Sequence, residues 1–203
     1  MVRETSLELL MSRPVQERAD AARNREKVLA AAARLFAEKG VDAVSMDAVA
    51  AEAGVGKGTL FRRFGDKSGL AVALLDARER DLQQRILSGP PPLGPGAPAR
   101  ERLVAFVRAY LDFLFAHLDL VRMSETASPG ARYRIGAYWF WHRHVTILLA
   151  EARGGDADAL AHTLLASMQA ELAEVLQGEY GRDRAVAAVT TLATALTAET
   201  ALT

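Results

Sequence analysis

The stretch Ser45-Met-Asp-Ala-Val-Ala-Ala-Glu-Ala-Gly-Val-Gly-Lys-Gly-Thr-Leu-Phe-Arg-Arg-Phe64 decides the fold of this chain. Ser45 is a suitable N-cap, and Gly54 is a suitable end for the short helix that follows. Val55 and Leu60 are apolar anchors for a second short helix, which we expect from Gly56 to Phe64. The inward positions of the first helix are Met46, Val49, Ala50 and Ala53. Two short helices, a tight turn and small residues at their close approach predict a helix-turn-helix.

The side chains not used as anchors predict a surface that contacts nucleic acid. The first turn of the second helix in such a motif faces base edges and phosphates. Lys57 can donate to a guanine edge or a phosphate, Gly58 lets the backbone approach the groove, and Thr59 offers a hydroxyl to phosphate and a methyl to thymine. The chain as a whole has 25 basic and 25 acidic residues, yet residues 53 to 67 hold four basic residues and one acidic, 4 − 1 = +3. Any affinity for DNA is therefore expected to be local.

The string from Gly54 to Lys67 resembles the recognition-helix signature of the TetR family of transcriptional regulators. The pattern from Val28 to Phe36, with Gly40, Ser45 and residues 49 to 53, is similar to the first two helices of that family. The resemblance covers about residues 23 to 75. It implies that Ser45 and Lys67 hold phosphates at helix N-termini. The full set of expected DNA contacts is Ser45, Lys57, Gly58, Thr59, Phe61, Arg62, Arg63 and Lys67.

Two positions depart from the family pattern. Gly56 stands where many members have serine, so a capping hydroxyl is missing. Phe61 stands where many have tyrosine, which removes one hydroxyl that can bond phosphate. We expect sparser phosphate contact at these two positions.

Helical periodicity extends over the rest of the chain, so the predicted fold is all-α. We expect a mobile arm over residues 1–20, a three-helix DNA-binding domain over 21–66, and a helical domain for ligand binding and dimerisation over 67–203. The first helix is expected from Ala21 to Gly40, and a long fourth helix follows Asp66 until Ser88. Five prolines and three glycines between Gly89 and Pro98 predict a loop. Later helices are expected over residues 100–118, 131–152, 156–177 and 181–202.

Several classes of site and protein are disfavoured. The chain has no cysteine, which excludes disulfides and thiolate metal sites. His142 and His144 lie two residues apart, on different faces of a helix, and no nearby carboxylate is evident, so no metal site is expected. No cofactor motif and no nucleophile with a base are recognisable, so an enzyme is not expected. Because no stretch reaches the roughly 20 apolar residues of a membrane span, we expect a soluble cytoplasmic protein without a membrane partner.

Aromatic residues are dense in two later helices, which favours a pocket for a small hydrophobic or aromatic effector. Tyr110, Phe113 and His117 follow each other at i, i+3 and i+7, and Trp139 and His142 at i and i+3. The expected ligand-lining residues are Phe106, Tyr110, Phe113, His117, Tyr138, Trp139 and His142. Each of these rings is equally an ordinary core residue.

The last two predicted helices carry apolar stripes that predict a homodimer interface. One stripe is Leu160, Leu164, Met168 and Leu172, and the other is Val186, Val189, Ala193 and Leu196. The TetR resemblance implies that the final helices pair as a four-helix bundle; the other interpretation is that both stripes face the protein's own core. A dimer implies a palindromic double-stranded operator.

These features together predict a ligand-responsive, sequence-specific transcriptional regulator. The resemblance favours a repressor that its effector releases from DNA. The alternative is a DNA-binding dimer whose C-terminal domain binds a protein, and an enzyme using the aromatic pocket is a remote third.

Overall fold

Ten α-helices follow one another along the part of the chain that the computed structural model describes, which is the backbone of residues 4–198 and the side chains of residues 20–198. They are α1 Glu4–Lys39, α2 Met46–Ala53, α3 Lys57–Phe64, α4 Lys67–Ser88, α5 Ala99–Ala116, α6 Leu118–Glu125, α7 Gly136–Ala152, α8 Ala157–Ala166, α9 Ala170–Tyr180 and α10 Arg182–Leu196. A 3₁₀ turn, Ala131–Arg134, precedes α7. No strand occurs among these residues, which confirms the all-α prediction. None of the described helices is long and apolar enough to cross a membrane.

The N-terminal unit, residues 1–74, is built around the apolar stripe of α1. Val28, Ala32 and Phe36 of this stripe are buried, as their helical spacing predicted. The core of the unit also contains Ala31, Leu35, Val49, Ala50, Leu60, Leu70 and Ala71. The side chain of Leu60 is only 1% exposed, and it packs α3 against this core.

The first helix is longer than predicted. It begins at Glu4, whereas the periodicity of apolar residues indicated a start near Ala21. In the sequence, the apolar stripe at helical spacing begins only near Val28, so periodicity gave no signal for the earlier turns. The predicted mobility of residues 1–20 stays a prediction: residues 1–3 and the side chains of residues 4–19 lie outside what is described.

The second unit, residues 75–203, has a separate core centred on α5. Leu103, Phe106, Val107 and Leu114 have no exposed surface, so α5 is buried on most sides. The helices α7 and α8 contribute Val145, Leu148, Leu149, Leu164 and Leu165, all likewise without exposed surface. The division between the units falls at Leu74 and Leu75, within α4, whereas the domain boundary was predicted at the start of this helix. Between α4 and α5 the structure has no helix, at the position of the predicted loop.

The helix predicted over residues 156–177 is two helices, and α6 was not predicted. A buried ion pair between Arg132 and Glu125 stabilises the break between α8 and α9. The Arg132 Nη2 atom donates to the carbonyl oxygen of Leu165, 2.9 Å away, at the end of α8. Glu125 Oε2 accepts from the backbone nitrogen of Ala170, also 2.9 Å away, at the start of α9. The pair therefore satisfies backbone groups that the two helix ends leave without partners.

Candidate nucleic-acid interface and effector site

The turn between α2 and α3 has the geometry that the sequence predicted. Ser45 Oγ accepts from the backbone nitrogen of Ala48 at 3.1 Å and caps α2. Gly54 is left-handed at φ 64°, and the nitrogen of Val55 donates to the carbonyl oxygen of Ala50 at 3.0 Å. Gly56 precedes α3 and provides no side-chain cap, as expected from its lack of a hydroxyl. These hydrogen bonds fix the turn that joins the two short helices α2 and α3.

The outward face of α3 follows from which residues are buried. Leu60 is buried and Phe64 is partly buried, so these two define the inward direction. Successive residues turn by about 100°, which places Gly58, Thr59 and Arg62 opposite the core. All three are exposed. This face is narrow and lacks bulk at Gly58, as a helix that approaches a DNA groove requires.

Arg62 is the cation best placed for contact with DNA. Among the described residues it forms no hydrogen bond or ion pair, and it lines a cleft beside α1 with Asp20, Asn24 and Thr59. Lys57 instead pairs with Asp47 of α2, at the side of α3. Both partners of this pair are more than half exposed, so exchanging Asp47 for a phosphate costs little. Phe61, 45% exposed, lies on the same side and offers an apolar contact.

Lys67 and Arg63, two further expected DNA contacts, donate to backbone carbonyl oxygens of the protein. The Lys67 Nζ atom donates to the carbonyl oxygens of Val41, Asp42 and Val44 at 2.9, 3.1 and 3.1 Å. An ammonium has three donors, so Lys67 has none left for a phosphate, and its side chain stabilises the chain between α1 and α2. The expected side-chain contact of Lys67 with phosphate is therefore wrong for this conformation. Arg63 donates from Nη1 to the carbonyl oxygen of Ala21 at 2.9 Å and keeps its other donors exposed.

A glycine outside the predicted site is required by the geometry of the same unit. A Cβ atom at Gly69 would lie 1.9 Å from the carbonyl oxygen of Phe64, closer than any side chain tolerates. The nitrogen of Gly69 also donates to Asp66 Oδ1 at 2.9 Å, which caps α4. Gly69 thus allows α4 to begin directly against the end of α3. The sequence carried no signal for this contact, because a glycine within a helix reads only as a weak helix former.

The residues expected to line one effector pocket lie in four places. Tyr110, Phe113 and Tyr138 line an internal cavity of about 20 Å³. Phe113 and His117 line a surface groove of about 500 Å³ between α4, the loop at Pro90–Leu93 and α5. Phe106 is fully buried against Tyr110, Trp141 and His144 and lines neither space. Trp139 and His142 lie in a cluster with His162, beside Tyr138.

The internal cavity combines aromatic walls with polar groups. Its lining includes Glu79, Arg132, Ser124 and Trp141 in addition to the rings above. Burial, and secondarily the charge of Asp76, raises the pKa of Glu79 to about 7. Burial also raises the pKa of Tyr110, although nearby Arg132 opposes it, so the phenol remains a donor at neutral pH. A carboxyl that titrates near neutrality among aromatic rings is a feature of ligand sites.

The histidine and the carboxylate that contact His142 lie on α8 and not on its own helix. His142 and His144 do point apart, since the His144 ring packs on Phe106 at 5.2 Å between centroids. His142, however, packs on His162 of α8 at 3.9 Å, and Asp158 of α8 lies beside it. The carboxylate near His142, which was not expected, comes from another helix, and helical spacing along α7 carried no information about it.

The predicted dimer stripes face the core of their own chain. Leu164, Met168 and Ala193 have no exposed surface, and Val189 is 5% exposed. Leu160, Val186 and Leu196 are partly buried against the same core, and Leu172 is partly buried on α9. Residues without exposed surface cannot contact a second chain, so the assignment of the fully buried members to a dimer interface is wrong. The exposed large apolar residues of α9 and α10 are Val175, Tyr180 and Leu192.

The fold and the α2–α3 turn define a helical protein with a helix-turn-helix. Residues 28–74 match the family model described as bacterial regulatory proteins, tetR family. This segment of the chain is therefore similar to the TetR family, as the sequence predicted.

A curated HTH-type transcriptional regulator of Staphylococcus aureus strain USA300 is 45% identical to this chain over 65 residues. The match covers 32% of this chain and 34% of that protein, so the chain matches about a third of the length of this curated relative. The curated relative that this chain resembles is named as a transcriptional regulator, not as an enzyme.

Solved structures resemble the whole chain. A protein of Saccharomonospora viridis, assigned as a transcriptional regulator and solved in complex with choline, is 25% identical, with a TM-score of 0.57 over 83% of this chain and 94% of its own. A TetR-family regulator of Pectobacterium atrosepticum has a TM-score of 0.61 at 24% identity, over 88% of this chain and 94% of its own. The resemblance in fold therefore extends beyond the DNA-binding segment.

Proposed function

We propose that this protein is a transcriptional regulator that binds operator DNA as a homodimer and is controlled by a small effector. The observation that carries the proposal is the outward face of α3. On this face Gly58, Thr59 and Arg62 lie opposite the buried Leu60, and Arg62 pairs with no described side chain. An exposed helix face with a glycine that permits close approach and an exposed guanidinium is suited to a major groove.

Binding to the DNA that flanks the protein's own gene tests this role, because regulators of this kind often control neighbouring genes. We expect saturable binding in a fluorescence anisotropy titration, with an affinity that falls as salt rises. Arg62→Ala should weaken binding by about 1 to 3 kcal/mol, the usual contribution of a bidentate contact to a base. Lys57→Ala should cost less, since Asp47 already holds the lysine.

The matched control is Arg80→Ala, which removes an exposed arginine paired with Asp76 on α4, outside the N-terminal unit. It should leave DNA binding unchanged. Equal affinities for Arg62→Ala and the parent protein would contradict the proposed orientation of α3.

The effector site that we propose is the internal cavity beside Tyr110 and Tyr138. Its volume of about 20 Å³ holds about one water molecule, far below the 300 Å³ or more of a typical ligand pocket. Phe113 lines both this cavity and the surface groove of about 500 Å³, so rotation of its ring joins the two spaces. An effector therefore enters from the groove and displaces Phe113.

The lining favours an effector with an apolar or aromatic body and a donor or cationic group. Aromatic rings attract cations, and Glu79 provides an acceptor that is partly ionised near neutral pH. The choline bound to the Saccharomonospora viridis protein, a quaternary ammonium, agrees with this chemistry. We propose repression with release by the effector, because a dimer on a promoter blocks polymerase without a further contact.

Thermal-shift screening tests the effector. We expect quaternary ammonium and aromatic amine compounds to raise the melting temperature saturably, and Tyr110→Phe or Glu79→Gln to weaken the effect. A stabilising compound should also lower DNA affinity, whereas an increase would indicate a co-repressor. Absence of any stabilising compound, together with saturable binding of a protein partner, would favour the alternative in which the second unit binds a protein.

The homodimer that we propose uses the outward faces of α9 and α10 rather than the predicted stripes. Val175 and Leu192 are 52% and 40% exposed, and small residues accompany them on α10. The exposed small positions are Ala187, Ala188, Thr191 and Ala195. A surface of small residues with a few large apolar side chains permits close packing of helices from two chains.

A further inference from the structure

We propose that His142, His162 and Asp158 form a binding site for a divalent transition-metal ion, of which Zn²⁺ is the best match. The ligand atoms of the three residues all lie within 4.8 Å of one another. His142 comes from α7, while Asp158 and His162 lie at i and i+4 on one face of α8. The chain has only four histidines, and two of them meet here.

The distances fit tetrahedral coordination after small side-chain rotations. Zinc bonds to histidine nitrogen at about 2.0 to 2.1 Å and to carboxylate oxygen at about 2.0 to 2.2 Å, so neighbouring ligand atoms are roughly 3.4 Å apart. His142 Nε2 lies 3.7 Å from Asp158 Oδ1, close to that separation. The two imidazole rings are 3.9 Å apart between centroids. Three protein ligands leave one coordination position for water or for a ligand.

The surroundings have the two properties that a metal site requires, which are oriented ligands and access. The Tyr138 hydroxyl lies 2.5 Å from His162 Nδ1 and fixes the plane of that ring. Hydrogen bonds of this kind to metal-binding histidines orient the ring and strengthen binding. The side chain of His142 is 7% exposed and that of Asp158 is 74% exposed, so the site is closed on the α7 side and open to solvent at the carboxylate.

The ligand types select the class of ion. Two imidazoles and a carboxylate suit Zn²⁺, Co²⁺ or Ni²⁺, whereas Mg²⁺ and Ca²⁺ prefer oxygen ligands throughout. His142 Nε2 now lies 3.2 Å from the carbonyl oxygen of Asp158. That contact places the ring proton on Nε2, so a metal bound at this atom requires the other tautomer, with the proton on Nδ1. An ion bound here joins α7 to α8, next to the effector cavity that Tyr138 also lines.

Isothermal titration calorimetry with ZnCl₂ tests the site, on chelator-treated protein that carries no histidine tag. We expect one ion per chain and a melting temperature, measured by circular dichroism, that rises with Zn²⁺. Co²⁺ should give the intense visible absorption of a tetrahedral complex. These measurements do not depend on DNA or on an effector, so their outcome is independent of the function proposed above.

The variants separate this site from adventitious binding to surface histidines. His162→Gln and Asp158→Asn change partly or fully exposed side chains and should fold, yet each should weaken Zn²⁺ binding at least tenfold. Tyr138→Phe should weaken it about 10- to 100-fold, as loss of an orienting hydrogen bond does. His117→Gln, on a histidine outside the cluster, is the control and should bind as the parent does. No saturable binding in the parent, or unchanged binding in His162→Gln, overturns the proposal.

Discussion

Gly58 and Gly69 show how the same residue type serves two different needs in the N-terminal unit. A Cβ atom at Gly58 meets no described atom within 4 Å, so no packing contact in the described part of the chain requires glycine there. A Cβ atom at Gly69 meets the Phe64 carbonyl oxygen at 1.9 Å. Gly58 is therefore interpreted as a requirement of the DNA surface, and Gly69 as a requirement of the fold.

Gly58→Ala should keep the protein folded and weaken its binding to DNA. Alanine is a better helix former than glycine, which favours the variant by about 0.5 to 1 kcal/mol. The added methyl group stands between α3 and the groove, so we expect affinity to fall roughly tenfold, about 1.4 kcal/mol. Melting curves and anisotropy titrations on the same sample measure both effects. Unchanged affinity would show that this face of α3 does not enter the groove.

Gly69→Ala should behave in the opposite way and lower stability. The clash is with backbone, which cannot move aside as a flexible side chain can, so we expect a loss of about 2 to 4 kcal/mol or failure to fold. Urea unfolding of the variant and of the parent, followed by circular dichroism, measures the difference. A variant as stable as the parent would mean that α4 begins with a different backbone than described.

The role of a residue could be predicted from the sequence where its side chain acts on neighbouring residues. It could not be predicted where the side chain contacts a part of the chain that is far away in sequence. Ser45, Gly54 and Leu60 act within one or two turns, and their predicted cap, turn and anchor are observed. Lys67 differs, because the three carbonyl oxygens that bind it lie 23 to 26 residues earlier. A charge near a helix N-terminus is equally consistent with a phosphate contact, and only the fold separates the two roles.

At the scale of helices, the periodicity of apolar residues located most of the apolar faces. It did not show what each face packs against. The stripes on α8 and α10 are apolar and lie at helical spacing, as predicted, yet they face the core of the same chain. A stripe shows that a helix has an apolar face, and dimer and core interfaces use the same residue types. The break at Ser167–Gln169 was also hidden, because the Arg132–Glu125 pair that stabilises it comes from outside the two helices.

Substitutions on the outward faces of α9 and α10 test the proposed dimer. Leu192→Arg and Val175→Arg place charges at exposed positions, so the monomer should tolerate them, whereas a desolvated charge at an interface is strongly unfavourable. We expect the variants to elute as monomers in size-exclusion chromatography with light scattering. Both should also bind DNA more weakly.

Ile147→Arg is the matched control, since Ile147 is 47% exposed but lies on α7. It should elute as the parent protein does. A dimer that survives both Leu192→Arg and Val175→Arg would exclude these faces as the interface.

For the molecule as a whole, Glu79 should make stability depend on pH. Burial raises the pKa of Glu79 from 4.5 to about 7, so the folded protein holds a proton that the unfolded chain releases. Below pH 4.5 the Glu79 carboxyl is protonated in both the folded and the unfolded protein, so it does not lower the free energy of unfolding. Between pH 4.5 and 7 stability is lost as pH rises, to a limit of about 3 kcal/mol.

Glu79→Gln removes this titration, so the variant should gain stability relative to the parent as pH rises from 4.5 to 7. Chemical denaturation of both proteins at several pH values measures the difference. A difference that does not change with pH would mean that Glu79 is ionised in the folded protein throughout this range. His144 opposes the trend in the parent: burial lowers its pKa to about 4, so stability from this residue is lost as pH falls below 6.5.

The two tryptophans give the protein a built-in spectroscopic reporter of one unit only. Trp139 and Trp141 are the only tryptophans of the chain, and both belong to the unit of residues 75–203. Trp141 is 3% exposed and Trp139 is 54% exposed, so the two emit from an apolar and an aqueous environment and only one is open to a soluble quencher. Far-ultraviolet circular dichroism, by contrast, senses the helices of both units. Unfolding curves from the two signals coincide if the units melt together and separate if they do not, without any label.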